Sequence, residues 1–402
     1  MELGFVPPTV ERVVLRNYKN IAVCDVQLRA LTMLVGPNGA GKSNFVDALR
    51  FVSDSLRTTL EHALRDRGGI NEVRRRSRGH PTHFSIDVIL RLPAGAHAVY
   101  GFRVGAYRNG AFRVQQEQCR IRHEGRESYF VVSNGIVQET SSPHLPSTIV
   151  PDRLYLTLAS AIPEFRVVYD ALSHMGFYNL SPEQIRELQD PDPGDLLNRD
   201  GSNLAAVVRR LRHEQPRLAD RINEYLGAVV PGVTSVEARS LGPKETLEFR
   251  QTVVGDEAPW RFLAANMSDG TLRVLGVLVA AFQGWRRQPG IPLVAIEEPE
   301  VAVHPGAAVK LMDALLESSG RTQLLITTHS PELLDHPGVD PACILAVEAE
   351  GNESRITPVR PELLQTVKEN LYTVGELLRL DQLQPDERVY QRLLTQRHLF
   401  EP

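Results

Sequence analysis

The stretch that most constrains the fold is Gly36-Pro37-Asn38-Gly39-Ala40-Gly41-Lys42-Ser43, which fits the pattern GxxxxGK[ST]. An apolar run, residues 31–35, precedes it. Phe45, Val46, Leu49 and Val52 follow at the spacing of one buried helical face. Strand, loop and helix in that order are what phosphate binding requires. Glycines let backbone N–H groups curl around phosphate oxygens, the lysine neutralises the β- and γ-phosphates, and the serine hydroxyl suits Mg²⁺. The helix N-terminus adds a favourable dipole for the anion. The expectation is a nucleoside triphosphate site made by Gly36, Pro37, Asn38, Gly39, Ala40, Gly41, Lys42, Ser43 and Asn44.

Composition narrows the setting. The 402 residues are 42% hydrophobic, enough for a globular core, and 45 basic against 49 acidic side chains argue against a polybasic binder. Only five of the basic residues are lysines: Lys19, Lys42, Lys244, Lys310 and Lys368. That bias reads as genome composition or as a preference for phosphate and carboxylate forks. Cys24, Cys119 and Cys343 form no CxxC pair, which argues against a disulfide framework or a zinc site and fits a reducing compartment. The N-terminus carries no secretory pattern, and the longest apolar stretch, residues 274–282, is too short to span a bilayer. A cytoplasmic protein with no membrane partner is expected.

Along the chain, residues 10–15 and 21–28 read as strands and residues 65–80 as an Arg-rich loop. An antiparallel meander is expected from His83 to about Val132. Helical spacing follows over 152–175 and 203–226, with a Pro/Asp/Gly-rich link at 190–194. Strand character returns over 233–252. A helix from Ser268, a strand at 293–296, a helix from Pro305 and a strand at 324–327 then alternate, as in βαβ units of a parallel sheet. The predicted class is α/β, a mixed or parallel core with an antiparallel β subdomain and an inserted helical subdomain. The divisions fall at 1–150 (N-terminal lobe), 151–230 (helical insert) and 231–402 (C-terminal lobe).

Three further segments carry chemistry. The apolar strand Leu293-Val294-Ala295-Ile296 runs into Glu297-Glu298-Pro299-Glu300, a Walker B pattern. Two carboxylates at a strand's C-terminal edge suit a Mg²⁺ shell, given to Glu297, and a base that polarises water, given to Glu298. An acidic loop after a buried strand is the plainer reading of the same residues. His329, in Thr327-Thr328-His329-Ser330, ends another apolar strand 31 residues after Glu298, so it reaches the same sheet edge. In Met267-Ser268-Asp269-Gly270-Thr271, Ser268 is an N-cap, which alone explains that composition; its place 30 residues before Glu298 gives it a second reading.

The order and spacing of these four elements resemble the ABC-type ATPase heads of RecF, SMC and OLD-like proteins, above all the stand-alone ATPases of the AAA family (AAA-21), P-loop NTPases of ABC-head type. The resemblance starts at Leu15-Arg16-Asn17-Tyr18-Lys19-Asn20-Ile21 and continues through Leu34 to Phe45. It returns at Asp200-Gly201-Ser202-Asn203-Leu204, Ser268-Asp269-Gly270, Glu297-Glu298-Pro299-Glu300 with His304-Pro305, Thr328-His329-Ser330 and Val374-Gly375-Glu376-Leu377. It implies ATP and Mg²⁺ as ligands, with Lys42, Glu298 and His329 as the catalytic set and Ser43 and Glu297 on the metal. It also implies a homodimer that sandwiches ATP, in which Ser268 and Gly270 meet the γ-phosphate of the partner's nucleotide and His329 senses that of its own subunit. ATP would hold the dimer and hydrolysis would release it.

Departures temper the rate expected. Glu297 stands where many relatives have Asp, Asp269 puts negative charge where phosphate docks, and no glutamine is placed after the first sheet. Slow hydrolysis, or a cycle dominated by binding, is consistent with these. The chain has no heptad arm, no CxxC hook and no acidic nuclease cluster after His329, which argues against a long-armed repair protein and a fused nuclease. Arg65, Arg67, Arg74, Arg75, Arg76 and Arg78 form a local basic stretch that suits DNA or RNA phosphates, a solvated loop, or an acidic partner equally. The leading expectation is an ATP-hydrolysing, dimerising switch. It binds nucleic acid or controls a separately encoded effector, nuclease-like by resemblance, in genome maintenance and DNA repair or in antiviral (phage) defence. The competing one is a nucleotide-dependent scaffold with negligible hydrolysis that holds protein partners.

Overall fold

A computed structural model describes residues 7–77, 81–253, 255–256, 258–284 and 290–395. The strands in chain order are β1 (Thr9–Tyr18), β2 (Ile21–Gln27), β3 (Leu31–Val35), β4 (His83–Arg91), β5 (His97–Ala106), β6 (Phe112–His123), β7 (Arg126–Ser133), β8 (Ile136–Thr140) and β9 (Gly176–Tyr178). They continue as β10 (Val233–Leu241), β11 (Lys244–Gln251), β12 (Trp260–Leu263), β13 (Val294–Glu297), β14 (Leu324–Thr328), β15 (Ile344–Glu350) and β16 (Glu353–Pro358). Thirteen of them form one sheet in the order β8-β7-β6-β5-β4-β1-β2-β16-β15-β3-β14-β13-β9, and β10-β11-β12 form a separate antiparallel sheet. From β15 to β9 the main sheet is parallel, and from β8 to β2 it is antiparallel. The mixed α/β core with an antiparallel extension is therefore as expected.

The parallel strands read as continuous apolar runs because both faces are covered. All five residues of β3 and of β14 are buried. Alternate side chains of β3 enter two different cores: Leu34 joins the one holding Phe45, Leu49, Phe51 and Val52 of helix Lys42–Arg57, and Leu31, Met33 and Val35 join the other. The second core contains helix Asp269–Phe282, every residue of which from Thr271 on is buried. The longest apolar stretch is thus an interior helix. Among the described residues no helix is long and apolar enough to cross a membrane.

Some local expectations shift. The 65–80 stretch is not all loop: helices Leu60–Arg65 and Ile70–Val73 fold it back so that Arg74 bridges Tyr18. The 203–226 helix breaks at Gln215, because Pro216 cannot continue the hydrogen-bond ladder and starts a new helix instead. Strand β9, three residues beside β13, is too short to leave a periodic signal.

Candidate nucleotide site

The loop after β3 wraps around Lys42. Its side chain is buried at 5% exposure, and Nζ donates to the carbonyls of Gly36 (2.7 Å) and Pro37 (3.0 Å). Burial pulls its pKa down, against the opposing pull of Glu298 and then Glu300. Pro37, Asn38, Gly39 and Ser43 are exposed around it, while Gly36 and Ala40 are buried. Gly41 has φ 112°, and a Cβ there would lie 2.0 Å from Oγ of Ser354, whose hydroxyl donates to the Ala40 carbonyl. Only glycine fits that position. Asn44 donates through Nδ2 to Oδ1 of Asn20 at 2.7 Å.

That last bond explains part of the Asn17-Tyr18-Lys19-Asn20 motif. The turn after β1 is pinned to helix Lys42–Arg57 through Asp47, which accepts from the Tyr18 hydroxyl (2.8 Å) and pairs with Lys19 (2.6 Å). Arg67 donates through Nε to both Asp47 oxygens (3.0 and 3.1 Å), and Arg50 adds a third cation at 3.0 Å. Burial raises the Asp47 pKa, but Arg67 and Lys19 outweigh it and bring it to about 2. The motif is thus the mount of the phosphate-loop helix.

Strands β13 and β14 run parallel with Glu297 opposite Thr327, so their ends share one edge. Alternation sends Glu297 to the face of Ala295, the face that carries helix Lys42–Arg57. Its carboxylate meets Arg199 at 3.3 Å. Glu298 has φ 46°, a conformation that costs about 1–3 kcal/mol for a non-glycine residue and is common at functional sites. Its N–H donates to the Thr327 carbonyl (2.9 Å) and hydroxyl (3.2 Å), which fixes the turn. His329 Nδ1 lies 3.6 Å from Glu298 Oε1 and 3.8 Å from Glu300 Oε1. Arg273, reaching across from helix Asp269–Phe282, donates to the carbonyls of Glu297 and Glu298 (both 3.2 Å) and of Leu180 (2.6 Å).

Among the described residues no group of three or more His, Cys, Asp or Glu side chains is placed to hold a metal. A Mg²⁺ ion that keeps its waters and takes phosphate oxygens needs one or two protein oxygens, and Ser43 and Glu297 are oxygen donors of that kind.

Ser268 caps helix Asp269–Phe282: its Oγ accepts from Thr271 N–H at 3.2 Å. Asp269 is paired with Arg186, which also donates to the Met267 carbonyl at 3.1 Å, so the negative charge beside the cap is locally balanced. A Cβ on Gly270 would sit 2.3 Å from the Ala302 carbonyl oxygen, where the chain leaves the Glu297–Glu300 turn. Close backbone approach thus requires this glycine.

The structure gathers the loop around Lys42, Glu298 and His329 into one neighbourhood and sets Ser268 and Gly270 on a second helix tied to it through Arg273 and Ala302. Glu300, Arg273, Arg199 and Arg186 carry much of this geometry and had been given no role. For Glu300 a signal existed in Glu-Pro-Glu; the arginines have none beyond composition.

The basic stretch is less uniform than its sequence. Arg67 is interior, its side chain 3% exposed between Asp47 and Asp54 and over the Phe51 ring, and Arg75 is paired with Glu353. Neither is a free surface cation. Arg76 is exposed beside Glu72, Arg74 donates to the Pro81 carbonyl, and Arg65 meets His62. Arg78 lies outside the described residues.

A search of curated proteins returned no match. Residues 31–335 match the family model described as "AAA domain, putative AbiEii toxin, Type IV TA system". Among solved structures, the chain is similar to an Smc head bound to the C-winged helix domain of ScpA (TM-score 0.53, 14% identity, covering 89% of this chain and 99% of that one). It is also similar to an Smc head with an extended coiled coil bound to the C-terminal domain of ScpA derived from Pyrococcus furiosus (TM-score 0.53, 12% identity, 90% and 99%). A third is an Smc head with a coiled coil and joint derived from Pyrococcus yayanosii (TM-score 0.50, 12% identity, 91% and 100%). At such identities the likeness is one of fold alone. With more than half of its residues under one family model, the chain belongs to this AAA family, and its fold is similar to that of Smc heads.

Proposed function

We propose that the protein binds and hydrolyses ATP as a dimerising switch that controls a separately encoded effector or binds nucleic acid, in genome maintenance or phage defence. The observation that carries the reading is the meeting of Glu298 and His329 at the sheet edge that also holds Lys42. Lys42, with backbone N–H groups of residues 38–43, holds the β- and γ-phosphates. Glu298 orients water and takes its proton as the water oxygen bonds to the γ-phosphorus and the bond to ADP breaks. His329 faces the γ-phosphate. Ser43 and Glu297 would hold Mg²⁺, which would neutralise charge on the phosphates. Across a homodimer, Ser268 and Gly270 complete the partner's site, and the Arg186–Asp269 pair removes the repulsion that Asp269 alone would bring.

Smc heads bound to ScpA domains support partner binding in general, and the family description, which names a Type IV TA system, supports a partner outside this chain. The scaffold reading keeps one observation in its favour: Arg199 already sits on Glu297, the carboxylate meant for the metal. ATP turnover separates the two. Wild type exceeding Glu298→Gln supports the switch, and equal rates leave only the scaffold.

A further inference from the structure

We propose that Arg199 is the internal counter-cation of Glu297: it holds the carboxylate in the nucleotide-free protein and so weakens the site for a divalent cation. The inference rests on the reading that gives Glu297 to the metal.

The motif Asp200-Gly201-Ser202-Asn203-Leu204 folds into the turn that carries Arg199. Asn203, 4% exposed, accepts from Asn198 N–H (2.7 Å) and donates through Nδ2 to Asp192 Oδ1 (3.0 Å) and the Leu196 carbonyl (2.9 Å). Asp200 Oδ1 accepts from Ser202 N–H at 3.0 Å. Gly201 has φ 84°, and a Cβ there would lie 2.7 Å from Cγ1 of Ile185, so glycine suits the turn on both counts. The turn is then bound to the main sheet. The carbonyls of Arg199 and Asp200 accept from the N–H groups of Asn179 and Ser181, both at 3.0 Å. Asn179 directly follows β9, whose Tyr178 lies opposite Ile296 of β13. The backbone of Arg199 is thereby set beside Glu297.

From there Nη2 reaches Glu297 Oε1 at 3.3 Å. The carboxylate side chain is 14% exposed and the arginine side chain 48%. A single contact of this length to a half-exposed arginine adds little to stability. What it adds is charge, placed on the carboxylate that a metal would need. A divalent cation on Glu297 would meet the guanidinium at about 5 Å, close enough for repulsion even with the screening of water. Arg199 also lines a polar cleft of about 540 Å³ together with Asp54, Asp192 and Asp195. Those carboxylates offer the guanidinium another partner when Glu297 is taken.

Mn²⁺ takes the same octahedral oxygen shell as Mg²⁺ and is the probe. The free ion is titrated against the full chain without nucleotide and followed by electron paramagnetic resonance. Arg199→Gln should bind Mn²⁺ about tenfold tighter than wild type, the scale of one charge removed at about 5 Å from a divalent ion. Arg199→Lys, which keeps the charge, should stay within about threefold of wild type. Adding Glu297→Gln to Arg199→Gln should abolish the gain. A merely structural tie would change stability and leave these affinities alone. Equal Mn²⁺ binding by wild type and Arg199→Gln, absence in both included, overturns the proposal, and so does a gain that survives in the double variant. The same titration with a non-hydrolysable ATP analogue tests the underlying reading. If Glu297→Gln leaves Mn²⁺ binding to that complex unchanged, Glu297 is not on the metal and both ideas fall; if it weakens binding while Arg199→Gln does nothing, only the role of Arg199 is lost.

Discussion

Replacing Asp47 by asparagine takes one negative charge from among three cations and tests whether the mount of the phosphate-loop helix is electrostatic. The folded pKa, about 2, lies below the ordinary 3.8. The ionised carboxylate therefore adds stability above the unfolded value, and this is lost as pH falls from about 4 toward about 2. The difference is worth about 2 kcal/mol at neutral pH. Asparagine also leaves Arg67, 3% exposed, with Asp54 at 2.9 Å as its remaining acid. Stripping one partner from a buried pair costs about 3–5 kcal/mol, and the surviving bond softens that, so about 2–4 kcal/mol is expected at pH 7. Urea unfolding of wild type and Asp47→Asn, followed by circular dichroism at pH 7 and near pH 2, measures both terms. The gap should be large at pH 7 and close to below about 1 kcal/mol once wild-type Asp47 is protonated. A gap that is the same at both values, or absent at pH 7, refutes the electrostatic account and leaves Tyr18 packing against Phe51 and Phe84 as the mount.

Lys42→Ala should abolish ATP binding in equilibrium titration, and retained affinity refutes the phosphate-loop assignment. Glu298→Gln with ATP should move the protein to a dimer by light scattering, and Ser268→Arg in that background should block the shift; a dimer insensitive to ATP counts against the switch. If nucleic acid binds, Arg74→Ala with Arg76→Ala should weaken it and flatten its salt dependence, by about one unit of slope per lost phosphate contact. Wild type that binds neither DNA nor RNA at low salt retires that partner.

How far the chain could be read before folding follows the range of the interactions. The phosphate loop, strands β3, β13 and β14 and the positions of Glu298 and His329 were legible because each is a local pattern, an apolar run closed by polar residues of fixed spacing. What was not legible depends on partners far apart in sequence. Arg67 looked like one of six surface arginines, and only the return of helix Leu60–Arg65 onto helix Lys42–Arg57 buries it against Asp47. Arg75 looked the same until β16 brought Glu353 alongside, 278 residues later, where Tyr390 of helix Glu387–Thr395 shares the carboxylate.

The same distinction changes the meaning of the departures from the family pattern. Asp269 read alone is a charge that repels phosphate; with Arg186 across it, the local pair is neutral, and the cap formed by Ser268 is intact. Gly270 read alone is a phosphate contact; against Ala302, glycine there also lets helix Asp269–Phe282 lie on the chain leaving Glu300. Arg273 on that helix also holds the Glu297 and Glu298 carbonyls. Helix Asp269–Phe282 and the turn that carries Glu298 are thus joined through two contacts that no single motif contains.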